Sequence, residues 1–60
     1  PISNGWRGDI VKLIQVKVGA NPVDGVFGSV THKAIVNWQH NNRLRQDGIV
    51  GPITWAKMFG

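Results

Sequence analysis

A short motif written twice constrains this chain more than any other feature. Residues 24–31 read Asp-Gly-Val-Phe-Gly-Ser-Val-Thr and residues 47–54 read Asp-Gly-Ile-Val-Gly-Pro-Ile-Thr. Asp24/Asp47, Gly25/Gly48, Gly28/Gly51 and Thr31/Thr54 are each 23 positions apart. A Gln behind an apolar residue precedes each copy, as Ile14-Gln15 and Trp38-Gln39. Asp-Gly favours a turn, because the Asp side chain bonds nearby backbone donors and Gly accepts positive φ. The pairs Val26-Phe27 and Ile49-Val50 are expected to dip into the core. Gly28 and Gly51 fall at helix N-caps, and Pro52 suits the first helical position, with Ser29 as its counterpart. Thr31 and Thr54 lie in the first turn, where a hydroxyl can meet free backbone N–H groups.

The repeat predicts helices over Asp9–Val18, Ser29–Asn42 and Pro52–Phe59, with Gly19 stopping the first. Val11, Ile14 and Val18 share one face of the first helix, widened by Ile10 and Leu13. Thr31, Ala34, Ile35 and Trp38 form the stripe of the second, with His32, Lys33, Asn37 and His40 outward. Trp55, Met58 and Phe59 serve the third, and Leu44 is expected to close the core between the last two. The apolar pairs after each Asp-Gly are long enough for a β-bridge and too short for a sheet. The expected fold is all-α: a compact three-helix domain with an internal helix-turn-helix repeat and short extended loops.

Sixty residues make one domain, 1–60, which reads as a piece of a longer protein. A chain this short buries only about 60% of the surface it exposes when unfolded. It has no Cys to add a disulfide, and two His without Cys do not make a structural zinc site. His32 and His40 lie roughly 12 Å apart along one helix and cannot share an ion. No metal or cofactor is expected. The net charge of +4, from seven Lys and Arg against three Asp, attracts anionic partners. No apolar run approaches the roughly 18 residues that span a bilayer, so membrane insertion is not expected.

These residues resemble the three-helix (type 1) peptidoglycan-binding domain of bacterial and phage proteins. The family text runs Gly-x-x-Val-x-x-Leu-Gln, then Asp-Gly-x-Phe-Gly-x-x-Thr-x-x-Ala-Val-x-x-Phe-Gln, then Leu-x-x-Asp-Gly-x-Val-Gly-x-x-Thr-Trp. Here the positions are Gly8, Val11, Ile14 and Gln15; Asp24, Gly25, Phe27, Gly28, Thr31, Ala34, Ile35, Trp38 and Gln39; and Leu44, Asp47, Gly48, Val50, Gly51, Thr54 and Trp55. Three motifs in order cover Gly8 to Met58. Arg43 departs from the pattern, standing where the family commonly has a left-handed Gly cap. Either Arg43 is strained or Asn42 takes the cap. The Gln15–Asp24 loop is also short.

The resemblance implies a non-catalytic peptidoglycan-binding module that targets a fused wall hydrolase. Its place would be the cell wall, outside the cytoplasm, reached by secretion or released by phage lysis. Bacterial peptidoglycan would be its partner and the domain would be a monomer. Asp24 and Asp47 are read as turn formers and not as a catalytic carboxylate pair. Gln15 and Gln39 are read as satisfying backbone groups of the loop that follows each. The candidate ligand contacts are Trp6, His40, Asn41, Asn42, Arg43 and Arg45. Arg suits the carboxylates of stem peptides or lactyl groups. Trp38 and Trp55 are assigned to the core, not to sugar stacking. Two rival readings are a small basic helical DNA-binding domain and an inhibitory pro-segment of a hydrolase. The first is disfavoured because the basic residues are scattered and no tight helix–helix turn precedes the second helix. The second lacks the Cys-bearing inhibitory motif. No nucleophile–base pair or phosphate loop supports an enzyme.

Overall fold

A computed structural model describes all residues 1–60 and contains three helices: α1 (Asp9–Val18), α2 (Ser29–Asn41) and α3 (Pro52–Phe59). The helix starts are those expected, and α2 ends one residue early. Gly28 and Gly51 occupy the N-caps of α2 and α3, and Pro52 opens α3. The molecule measures 26 × 19 × 17 Å.

The stops of α1 and α2 use the same backbone device. Gly19 is left-handed at φ 74°, its N–H donates to the Val16 carbonyl, and the Ala20 N–H donates to the Gln15 carbonyl. At the end of α2, Arg43 N–H donates to the His40 carbonyl and Leu44 N–H to the Gln39 carbonyl. Each pattern is a Schellman cap with one left-handed residue after the helix. In the second copy that residue is Arg43, at φ 58°. Of the two alternatives, the strained Arg is the one realised. Asn42 stays at φ −102° and its side-chain amide donates to the Trp38 carbonyl at 2.9 Å.

The core is Ile2, Val11, Ile14, Phe27, Ile35, Val50 and Met58, with Ile10, Val18, Trp38 and Trp55 packed at its edge. Several expected core members lie elsewhere. Leu13 is 59% exposed and Phe59 42% exposed, because α1 and α3 each bury only a narrow stripe. Phe59 instead tilts against Trp55, ring centroids 4.5 Å apart. Only one residue of each apolar pair is buried: Phe27 and Val50 point in, Val26 and Ile49 out. Alternation is what an extended backbone imposes. Leu44 is half-buried and stands outside the core cluster.

The segment before α1 is a strap across both turns. Ile2 forms an antiparallel bridge with Val50, through N···O distances of 3.0 and 2.8 Å. Arg7 bridges Val26, and Gly5, Trp6 and Gly8 exchange backbone hydrogen bonds with Phe27 and Gly25. Ile2 thereby enters the core at 8% exposure.

Candidate functional site

Each turn is built round one buried glutamine. Gln15 Nε2 lies 3.0 Å from Asp24 Oδ1, 3.1 Å from the Val26 carbonyl and 2.9 Å from Thr31 Oγ1. Gln15 Oε1 accepts from the N–H groups of Asp24 and Gly25. Gln39 repeats the arrangement with Asp47 Oδ1, the Ile49 carbonyl and Thr54 Oγ1, and accepts from the Gly48 N–H at 3.0 Å. Each Gln therefore ties a helix end, a turn and the next helix start. No buried side-chain polar atom is left without a partner. The threonine hydroxyls face these amides and make no cap on the helix N–H groups, contrary to expectation.

The two aspartates close the turns. Asp24 Oδ1 accepts from the Val26 N–H and Asp47 Oδ1 from the Ile49 N–H. Hydrogen bonding holds both carboxyls below their ordinary range. For Asp24 the Gln15 amide acts most, then the Val26 N–H; for Asp47 the Ile49 N–H leads, followed among the lowering effects by Gln39 and the nearby Arg45 charge. The following glycines are required twice over. Gly25 and Gly48 have φ of 76° and 70°, and both are crowded. A β-carbon on Gly48 would overlap the His32 ring, and one on Gly25 would fall 3.1 Å from the Gly8 carbonyl oxygen. His32, expected outward, thus lies over the second turn.

Outside each turn the duplication leaves a cleft. The first, about 220 Å³, is lined by Pro22, Asp24, Val26, Gly28, Ser29, Val30 and Thr31. The second, about 340 Å³, is lined by the residues 23 positions on: Arg45, Asp47, Ile49, Gly51, Pro52, Ile53 and Thr54, with Pro1 and Leu44 added. Of the sequence-derived contact residues, His40, Asn41, Arg43 and Arg45 are exposed together round the end of α2. His40 Nδ1 meets Gln46 Nε2 at 3.1 Å, and Asn42 is taken up by its cap on Trp38. Trp6, 44% exposed, is not part of this group. Its backbone is hung on Phe27, just before α2 begins. The thirteen residues of α2 put roughly 20 Å between its ends. Sequence reasoning did not connect Leu44, Ile49 and Ile53 with Arg45. The available signal was that the repeat carries the Arg45 position into the first copy as Pro22.

Residues 8–58 match the sequence profile of the peptidoglycan binding domain family. The chain belongs to that family. A peptidoglycan-binding protein from Clostridioides difficile, solved in complex with glutamine hydroxamate, is similar to it with a TM-score of 0.85 and 41% identity, over 95% of this chain and 39% of that one. The zinc D-Ala-D-Ala carboxypeptidase of Streptomyces albus G is 34% identical over 97% of this chain and 26% of the enzyme. The spore cortex-lytic enzyme of Halalkalibacterium halodurans is 36% identical over 95% of this chain and 19% of the enzyme. The chain thus spans about a quarter of the first enzyme's length and about a fifth of the second's. As a peptidoglycan-binding domain it is a binding module and not a catalyst.

Proposed function

We propose that this domain holds a wall hydrolase, fused to it in one longer protein, on bacterial peptidoglycan. It does so as a monomer, at the cell wall outside the cytoplasm, reached by secretion or by phage lysis, and without a nucleic-acid partner. The contact face is His40, Asn41, Arg43 and Arg45 at the end of α2, with Asn42 shaping the backbone between them. Trp6 is a separate contact at the other end of that helix. The observation that carries the choice of face is Arg43. It occupies a left-handed position that the first copy gives to Gly19, and a side chain there costs about 1–2 kcal/mol. Strain of this kind is retained where the side chain serves something other than the fold. The net charge of +4 suits the anionic wall. The two enzyme relatives, both larger than this chain, support the fused arrangement. Tethering raises the local concentration of an enzyme on an insoluble substrate.

Co-sedimentation with purified sacculi tests the reading. The domain should pellet with the walls, and release no soluble muropeptide from them. The variant Arg43→Gly/Arg45→Gln should stay in the supernatant while unfolding at or above the wild-type temperature. A wild-type domain that remains soluble with walls of several chemotypes at low salt sinks the binding claim. A double variant that pellets like wild type removes this face from it.

A further inference from the structure

The two clefts share their scaffold, and the second adds Arg45, Leu44 and Pro1 to it. Asp24 and Asp47, and the Gly and Thr positions, serve the Gln hubs in both copies. Arg45 does not, because the first turn is complete with Pro22 at that position. What Arg45 adds is a cation in the wall of the same cleft as the Asp47 carboxylate. Both hydrogen bonds to Asp47 end on Oδ1, so Oδ2 keeps its lone pairs. Leu44 and the 75% exposed Ile53 supply apolar walls next to the two charges. At about 340 Å³ the second cleft has the size of a small-molecule site.

We propose that the second cleft takes a zwitterionic amino-acid head group, with ammonium and carboxylate on one carbon. The carboxylate pairs with Arg45, the ammonium faces Asp47, and the aliphatic stem lies along Leu44 and Ile53. The inference rests on the peptidoglycan reading above. In that polymer such a head group is the free end of an uncrosslinked diamino-dicarboxylic acid in the stem peptide. A glycan offers no ammonium. A lysine at the same position offers an ammonium without the adjacent carboxylate, so Arg45 would lose its partner. The first cleft has Asp24 and no cation, and does not bind this group.

The test is an NMR titration of the whole chain with three soluble probes: a stem tripeptide ending in diaminopimelate, the same tripeptide ending in lysine, and the wall disaccharide without peptide. The diaminopimelate peptide should shift the amides of Leu44 to Thr54 and leave those of Asp24 to Thr31 in place. Replacing its terminal residue by lysine, or Arg45 by Gln in the protein, should each weaken binding roughly tenfold. Equal responses to the two peptides, equal responses at the two clefts, or a disaccharide response at Leu44 to Thr54 would each overturn the proposal. Sacculus co-sedimentation of the same sample separates the two claims. A domain that pellets but gives any of those responses binds the wall by other chemistry, whereas one that fails to pellet removes the reading beneath.

Discussion

Gln39 donates and accepts at once, and only an amide can do both here. Its nitrogen serves Asp47, the Ile49 carbonyl and Thr54 while its oxygen takes the Gly48 N–H. Gln39→Glu keeps the shape and the acceptor but places a carboxylate against Asp47 Oδ1 and loses every donor. Leaving buried groups unpaired costs about 1–3 kcal/mol each, so this variant should lose more than about 3 kcal/mol in urea unfolding at neutral pH. A loss under about 1 kcal/mol would mean that the hub is replaceable by water. Arg43 should behave oppositely. Arg43→Gly relieves the left-handed strain and should stabilise by about 1 kcal/mol, although glycine's looser unfolded chain offsets part of that gain. A lower melting temperature would show that the Arg side chain contributes to the fold. The strain was legible as one of two alternatives, since a missing cap glycine has a known backbone consequence. Which residue would take the cap depended on the Asn42 amide reaching Trp38, which spacing alone does not encode.

The turn is the element that the duplication repeats, and its tolerance for side chains can be measured. Gly48→Ala meets two penalties, positive φ and the His32 ring. In the wild type it should cost about 2 kcal/mol or more; in a His32→Ala background it should cost roughly 1 kcal/mol, the conformational part alone. Equal costs in the two backgrounds would place the ring elsewhere. Helix starts and stops were readable because caps leave local signatures in Gly, Pro and Asp-Gly. That the two residues of Val26-Phe27 and of Ile49-Val50 would point to opposite sides was readable from strand alternation, but not which of each pair would be buried. The strap was not. Ile2 sits alone in a polar Ser-Asn-Gly stretch with no periodicity, and its burial comes from a backbone bridge to a residue in the other half of the chain. Leu44 and Ile53 were misjudged or passed over for a related reason. An apolar residue beside a turn serves a core or a cleft equally well until the neighbouring helix is placed.

For the molecule as a whole, the paired aspartates set the behaviour in acid. Both carboxyls are held below their ordinary range in the folded chain. A carboxyl with a depressed folded pKa contributes stability above its unfolded pKa and loses it as pH falls through the folded value. Stability should therefore be level near neutrality and decline from about pH 5 downward. Asp24→Asn/Asp47→Asn keeps both Oδ1 acceptors and has no proton to gain, so its stability curve should be flatter in acid. Parallel curves for the two proteins would assign the acid sensitivity to other groups. The fold class and the family positions were visible in the residues themselves. The pairing of Arg45 with the outer side of a turn emerged only when the two copies were compared in space.

The strap also governs the order in which the chain can fold. Helices close through neighbours a few residues away, and a purely helical bundle gathers quickly for that reason. Here residue 2 is stitched to residue 50 and residue 7 to residue 26. Each bridge needs the turn it lies against to be in place, and long closures are entropically costly until the native contacts offset them. The segment before α1 is thus among the last parts of the domain to settle. Despite its helices, the chain should fold with the slower, non-local kinetics of a small β protein.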